Sequence, residues 1–170
     1  LKGDRFSGKT SIFNLISGSY LNFEGQILIN DIPIRNYDVN MIRNKTGVLL
    51  KGSSIIDGSI LQNICLGDDQ YNIEYVLELS KETGLWDYVK EIKEGFDEII
   101  SPYRNKIPSH VIQSILLTRA LYNKPNLLLL EDPFIGMKES KISRLVEYIK
   151  SCNHPTVIII NNDNGSVREI

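Results

Sequence analysis

The chain has 170 residues, 42% of them hydrophobic and 24% charged, which suits one globular domain with a substantial core. A net charge of -2, with Lys and Arg scattered along the chain, argues against a nucleic acid as a partner. No apolar run reaches the roughly 18–20 residues of a membrane span, and no signal peptide is recognisable. Cys65 and Cys152 lack a C-x-x-C spacing, which is typical of reduced thiols in a cytosolic protein.

The first predicted element is a phosphate-binding loop. Residues 3–10 read G-D-R-F-S-G-K-T and match the pattern G-x-x-x-x-G-K-[ST]. The glycines let several backbone N–H groups point at one anion, Lys9 places positive charge on the β- and γ-phosphates, and the Thr10 hydroxyl ligates Mg²⁺. The sequence therefore predicts that a nucleoside triphosphate and Mg²⁺ bind at Gly3, Asp4, Arg5, Phe6, Ser7, Gly8, Lys9, Thr10 and Ser11.

A chance match is the alternative, because glycine-rich turns before helices are common and only two residues precede Gly3, where a strand is expected. The context favours the loop. A predicted helix over 9–17 turns its positive N-terminal end toward the same phosphates, and Gly18 is a natural stop for it. Because the loop begins at residue 3, we expect the chain to be a piece of a longer protein.

Strand and helix patterns alternate after this loop. The predicted strands cover 25–31, 46–50, 127–130 and 157–160, and the predicted helices cover 73–83 (capped by Asn72 and ended by Gly84), 109–122 and 138–150. The alternation predicts an α/β fold of the P-loop NTPase class, with a mainly parallel sheet flanked by helices. Residues 58–122 are mostly helical. We therefore expect a single domain over 1–170, with an α/β core at 1–57 and 123–170 and an inserted helical subdomain at 58–122.

Further segments carry a family resemblance through their order and spacing. They read EGQILINDIPI, IIDGSILQNICLGDD, TGLWDYVKEIKEGFDEII, LLTRALYNKPNLLLLED and VREI. Together with the phosphate loop, they resemble the nucleotide-binding domain of exporter-type ABC transporters over the whole chain. Relative to that domain we expect the chain to be truncated at both ends, so that the aromatic residue that stacks on adenine falls outside it.

The resemblance implies cofactors and partners. Domains of this family bind ATP and Mg²⁺, and they hydrolyse ATP between two domains arranged head to tail. Each site joins the phosphate loop of one domain to the signature segment of the other. The expected partners are a second nucleotide-binding domain, in a homodimer or a heterodimer, and the transmembrane domain of a transporter. The expected location is the cytoplasmic face of a membrane.

Three positions that carry the family's chemistry are altered in this sequence. Glu131 stands where the family has the Asp that organises Mg²⁺, and Asp132 stands where it has the general-base Glu. A misplacement of about 1 Å, such as one methylene produces, can cost roughly 100-fold in rate. Asn162 falls on the switch histidine, and an amide cannot shuttle a proton. The resemblance therefore implies Thr10 and Glu131 as Mg²⁺ residues and Asp132 as a weak general base.

The remaining family positions also differ. Lys51 replaces the Q-loop glutamine; an ammonium cannot ligate Mg²⁺, so Lys51 either approaches the γ-phosphate or is an ordinary solvated lysine. Pro108, Ser109 and His110 replace the serine and the two glycines of the signature segment, which removes a hydroxyl and adds bulk. Lys138 replaces the D-loop aspartate. The sequence thus keeps the phosphate loop in a domain whose other motifs are degenerate.

The predicted function is that of an ABC transporter's ATP-binding domain, which couples ATP binding, with weak or no hydrolysis, to transport across a membrane. The alternative is a non-catalytic regulatory or interaction module with a vestigial nucleotide site. An unrelated P-loop enzyme, such as a small kinase or GTPase, is disfavoured. The chain lacks an N-K-x-D guanine motif, and its helical segment fits the transporter family better.

Overall fold

The computed structural model describes residues 7–102, 107–152 and 156–160. Its helices are α1 (Lys9–Ile16), α2 (Val39–Lys45), α3 (Ile60–Cys65), α4 (Ile73–Thr83), α5 (Trp86–Val89), α6 (Ser109–Tyr122) and α7 (Glu139–Ser151). Its strands are β1 (Leu28–Ile29), β2 (Ile32–Pro33), β3 (Thr46–Leu49), β4 (Gly58–Ser59), β5 (Ile99–Ile100), β6 (Leu127–Glu131) and β7 (Thr156–Ile160). Short 3-10 turns lie at Ile34–Asn36 and Gly95–Asp97.

A parallel sheet in the order β3–β6–β7 forms the centre of the described structure. Thr46 of β3 lies beside Leu127 of β6, which in turn lies beside Thr156 of β7. Because parallel strands end at the same edge of a sheet, the segments that follow β3 and β6 meet there. The last residue of β6 at this edge is Glu131.

The side chains of β6 alternate between two apolar layers. Leu128 and Leu130 belong to a large buried cluster that includes α6, whereas Leu129 packs with Phe13 of α1 and Ile160 of β7. Both faces of the strand are covered, which explains its continuous apolar run. This arrangement confirms the predicted α/β fold with a parallel sheet flanked by helices.

Helix α6 lies inside the protein and packs against α3, α4 and β3. Its buried residues, which include the polar Ser114 and Thr118, lie on nearly all of its sides, as expected for a helix surrounded by other elements. The segment 58–122 contains α3 to α6 together with the antiparallel pair β4–β5. Its separation from the α/β core as a helical subdomain stays a prediction.

One polar network from α6 fixes the chain that leaves the sheet after β3. The Arg119 guanidinium donates to the backbone oxygens of Ser54 (3.0 Å) and Asn63 (2.6 Å) and to the Asn63 side-chain oxygen (2.8 Å). The Asn63 amide is fully buried and donates to the backbone oxygens of Ile56 and Ser59, both at 3.0 Å. Burial lowers the pKa of Arg119 from its ordinary value. Since the guanidinium still stays protonated at neutral pH, it holds this loop against α6 through charge-assisted hydrogen bonds.

The predicted single strand over 25–31 is wrong. Asn30 and Asp31 adopt φ values of 50° and 63°, and they form a two-residue turn between β1 and β2. Asn and Asp tolerate this left-handed conformation better than other residues with a side chain. The segment is therefore a short antiparallel hairpin.

The predicted helices 73–83, 109–122 and 138–150 are confirmed as α4, α6 and α7, within a residue at each end. The Asn72 side chain accepts from the Tyr75 N–H, and Gly84 ends α4 in the left-handed conformation, as expected of these caps. In the described part of the chain, none of the helices combines the length and the apolar character that crossing a membrane requires.

The close approach of β3 to α6 yields a stability prediction. A Cβ atom at Gly47 would lie 2.0 Å from the Ala120 carbonyl oxygen and 2.7 Å from the Leu128 side chain. We expect Gly47→Ala to cost about 3 kcal/mol and to lower Tm by about 6–12 °C, because the added methyl overpacks this contact.

Gly67→Ala is the matched control. A Cβ there would meet no atom within 4 Å, so the change costs only the strain of a left-handed residue at φ 88°. We expect that strain to cost about 1–2 kcal/mol. Thermal unfolding monitored by circular dichroism gives the Tm of each variant. Equal losses of Tm in Gly47→Ala and Gly67→Ala would contradict the close packing of β3 on α6.

Candidate functional site

The phosphate-loop residues that the structure describes begin at Ser7 and run into α1. Gly8 is the N-cap of α1 and has a φ of 82°, in the left-handed region that glycine enters without strain. The first helical hydrogen bond, from the Ile12 N–H to the Gly8 oxygen at 3.0 Å, shows that α1 starts directly after it. Gly3, Asp4, Arg5 and Phe6 lie outside the described residues. Ser11 lies on the exposed side of α1.

Lys9 is buried at the N-terminal end of α1, with only 7% of its surface exposed. Its ammonium donates to the Ser7 hydroxyl at 3.3 Å, so the side chain folds back toward the loop. The ammonium thus lies at the N-terminal end of α1, where the motif predicts the lysine that contacts phosphate. A role of Lys9 in binding an anion stays a prediction.

The Glu131 carboxylate joins three separate parts of the chain. Its Oε1 accepts from the Thr10 hydroxyl at 2.8 Å, and its Oε2 accepts from the Lys51 backbone N–H at 2.9 Å. Thr10 belongs to α1, Lys51 follows β3, and Glu131 ends β6. Only 5% of Glu131 is exposed. The structure thus brings together Thr10 and Glu131, the predicted metal residues, and places Lys51 beside them.

Thr10 and Glu131 fit the ligand preferences of Mg²⁺. A hydroxyl and a carboxylate are hard oxygen donors, and Mg²⁺ sites for nucleotides use one or two carboxylates together with the phosphates and water. Within the described ranges, no group of three or more His, Cys, Asp and Glu residues could hold a metal by itself. Thr10 and Glu131 would supply one hydroxyl and one carboxylate to a bound Mg²⁺, and this role stays a prediction.

Asp132 is held through its backbone, directly after Glu131. Its N–H donates to the Ile160 oxygen at 2.8 Å, and its carbonyl oxygen accepts from the Gln113 side-chain amide at 3.1 Å. Its φ is 47°, a conformation that Asp adopts more readily than most residues with a side chain. These two hydrogen bonds fix the backbone position from which the Asp132 side chain extends.

Gln113 is a site residue that the sequence motifs do not predict. This residue lies on α6, two residues after the signature segment (107–111), and it is half-buried among largely apolar neighbours in sequence. A polar amide on an otherwise buried helix was the available signal, since such a group needs a hydrogen-bond partner. Gln113 connects α6 to the predicted catalytic residue.

The altered signature residues lie at the exposed start of α6. Pro108 is the N-cap, and its carbonyl oxygen accepts from the Val111 N–H at 2.9 Å, so the helix starts normally without a capping hydroxyl. Ser109 and His110 are exposed. A Cβ at Gly136 would lie 3.5 Å from the His110 Cβ, which brings the signature segment next to the residues before α7.

Lys138 is exposed and begins α7, where its carbonyl oxygen accepts from the N–H groups of Lys141 and Ile142 at 2.9 and 3.1 Å. Its side chain makes no capping hydrogen bond. Asn162, the predicted switch position, lies outside the described residues. The roles of Lys138, Asn162, Asp132 and the signature residues stay predictions.

Comparisons with known proteins agree with this arrangement. The sequence model of the ABC transporter family matches residues 1–135. The alpha-hemolysin translocation ATP-binding protein HlyB of Proteus vulgaris is 30% identical over 163 residues, which are 95% of this chain and 23% of that protein. The exotoxin translocation ATP-binding protein PaxB of Pasteurella aerogenes is 30% identical over 166 residues, which are 96% of this chain and 23% of that protein.

One solved structure supports the same fold. A bacterial Atm1-family ABC exporter with ATP bound matches with a TM-score of 0.80 and 22% identity, over 91% of this chain and 27% of that chain. The chain therefore spans only about a quarter of the length of the proteins that it matches. Since the family match covers most of its residues and includes the phosphate loop, the chain belongs to the ABC transporter family.

Proposed function

We propose that this domain binds MgATP through its phosphate loop, hydrolyses it slowly or not at all, and uses the binding to drive transport by an exporter. The observation that carries the proposal is the contact of Thr10 and Lys51 with the two oxygens of Glu131. It keeps a hydroxyl and a carboxylate together at the edge of the sheet where a triphosphate would bind, and Thr10 directly follows the buried Lys9. The relatives are named as ATP-binding proteins for toxin translocation or export, which supports a transport role.

The chain's own residues would divide the work of binding. The Lys9 ammonium and the backbone N–H groups at the start of α1 would take the triphosphate charge, with the N-terminal end of the helix directed at it. The Thr10 hydroxyl and the Glu131 carboxylate would hold Mg²⁺, which neutralises phosphate charge when it is bound. These side chains lie on α1 and β6, next to each other at one edge of the sheet, which supports the proposal.

The residues for hydrolysis are poorer. The Asp132 carboxylate is one methylene shorter than the glutamate that the family uses, and its backbone is fixed by Gln113 and Ile160. It therefore cannot easily move to restore contact with an attacking water. Asn162 would supply no proton shuttle. We infer that this half of the site binds nucleotide better than it cleaves it.

The signature residues suggest an unequal dimer. In the expected head-to-tail arrangement, Pro108 would meet the triphosphate of the partner domain with no hydroxyl and no backbone N–H of its own. Ser109 and His110 add bulk at the same exposed helix start. We therefore propose a heterodimer, in which the second nucleotide-binding domain supplies the better signature segment. The pair would dock on a transmembrane domain at the cytoplasmic face of a membrane, through 58–122.

A non-catalytic regulatory or interaction module is the second candidate. The observation that favours it is that both Glu131 oxygens already have protein donors, so the site can persist without nucleotide. Melting with and without MgATP separates the two candidates. A ligand that binds only the folded state raises Tm, and the absence of a shift at millimolar MgATP would favour the second candidate.

Lys9 provides the first test of binding. We expect Lys9→Ala to weaken ATP affinity by about tenfold or more, because a buried charge next to the triphosphate is lost. The measurement is calorimetric titration of the full-length protein with MgATP. Lys93→Ala removes the same charge from an exposed position and is the control. Equal affinity in wild type and Lys9→Ala would contradict the proposed site.

Asp132 provides a test of the weak chemistry. We expect Asp132→Glu to raise ATP turnover by about tenfold, because it restores the reach of the general base, and Asp132→Asn to lower it by a smaller factor. Turnover is measured as phosphate release by the full-length protein. A wild-type rate in the ordinary enzyme range of about 1–1000 per second, abolished in Asp132→Asn, would contradict the degenerate assignment.

A further inference from the structure

We propose that the Lys51 side chain binds the terminal phosphates directly and supplies part of the positive charge that Mg²⁺ supplies in other sites of this kind. ATP binding to this domain would then depend only weakly on the metal. The inference rests on the proposed function, since it concerns the same nucleotide site. The alternative is that Lys51 is an ordinary solvated lysine with no role in the site.

The backbone of Lys51 is fixed at the metal residues. Its N–H donates to one Glu131 oxygen at 2.9 Å, while the other oxygen accepts from the Thr10 hydroxyl at 2.8 Å. Thr10 directly follows Lys9, the lysine of the phosphate loop. The Glu131 carboxylate therefore fixes the backbone from which the Lys51 side chain starts, and it also bonds to the residue that follows Lys9.

A tight turn holds Lys51 in this position. The Ser53 N–H donates to the Leu50 oxygen at 2.9 Å, and the Ser53 hydroxyl accepts from the Leu50 N–H at 3.1 Å. Arg119 fixes the next residue, Ser54, through its carbonyl oxygen. The turn is thus anchored at both ends, to the end of β3 and to α6, and its backbone has little freedom to carry Lys51 away from Glu131.

The Lys51 side chain is exposed, and within the described residues its ammonium has no hydrogen bond or ion pair. Gly52, the next residue, has a φ of 109°, and a Cβ there would meet no atom within 4 Å. Among the described residues, open space therefore lies beside Gly52. A flexible four-carbon stem that starts at Lys51 can extend toward a bound triphosphate without breaking a hydrogen bond or ion pair to any of the described residues.

The chemistry of the ammonium group determines that Lys51 would bind phosphate and not the metal ion. Lysine has three donors and no lone pair, so it suits phosphate oxygens and cannot ligate Mg²⁺. Its charge would also repel a divalent cation bound at Thr10 and Glu131. Lys51 would therefore strengthen the binding of free ATP and weaken the additional gain from Mg²⁺. Both effects reduce the dependence on the metal.

The test compares ATP affinity in excess Mg²⁺ with ATP affinity in EDTA, by calorimetric titration of the full-length protein. We expect wild type to lose less than about tenfold in affinity when Mg²⁺ is removed. Lys51→Met, which removes the charge and adds no metal ligand, should lose about a further tenfold in EDTA, and Lys51→Arg should retain wild-type binding there. Lys51→Gln should match Lys51→Met in EDTA but bind more tightly than it in Mg²⁺, because its amide oxygen can ligate the metal.

Lys93→Gln controls for loss of one exposed positive charge, and equal Tm values without ligand show that the variants are folded. Two results would overturn the inference and leave the proposed function standing. One is that wild type binds ATP only when Mg²⁺ is present. The other is that wild type and Lys51→Met bind ATP with equal affinity in EDTA. ATP binding to wild type under neither condition would overturn the proposed function as well.

Discussion

The organisation of the site depends on one carboxylate. Glu131 ends the central strand, β6, and accepts from the Thr10 hydroxyl and the Lys51 N–H. It therefore fixes both helix α1 and the turn that follows β3 relative to β6. This contact is possible because β3 and β6 are parallel and paired in register, with Leu49 beside Leu130, so that both end at the same edge. The packing of Leu128, Leu129 and the residues around them secures that register.

The residues proposed for binding and those proposed for catalysis differ in how they are held. The groups proposed to hold phosphate and metal lie on buried residues, with Lys9 and Glu131 only 7% and 5% exposed. The residues proposed for hydrolysis and for contact with the partner domain are more exposed, or their side chains have the wrong length or the wrong functional group. A domain can lose turnover in this way and keep nucleotide-dependent docking, since binding energy and chemistry are supplied by different residues. An asymmetric pair of domains is the arrangement in which such a loss is least harmful.

Much of the fold could be predicted from the sequence, because its main signals are local. The leucine run that became β6, and the caps Asn72 and Gly84 of α4, are properties of short segments. The helix α2 was missed, although Asp38 caps it through the N–H groups of Asn40 and Met41, because its few apolar residues give no clear period.

In the site, the phosphate loop and Glu131 were predictable from a motif and a resemblance. The contacts of Gln113 with the Asp132 carbonyl and of the Lys51 N–H with Glu131 were not. Each joins residues far apart in sequence, and the Lys51 contact uses a backbone group that every residue except proline possesses.

The central claim is that the phosphate loop holds a triphosphate beside Glu131. A crystal structure of the full-length protein with a non-hydrolysable ATP analogue and Mg²⁺ tests it most directly. The account predicts phosphate oxygens within hydrogen-bond distance of Lys9 and the N–H groups that begin α1; an analogue absent from this loop at saturating concentration would contradict it.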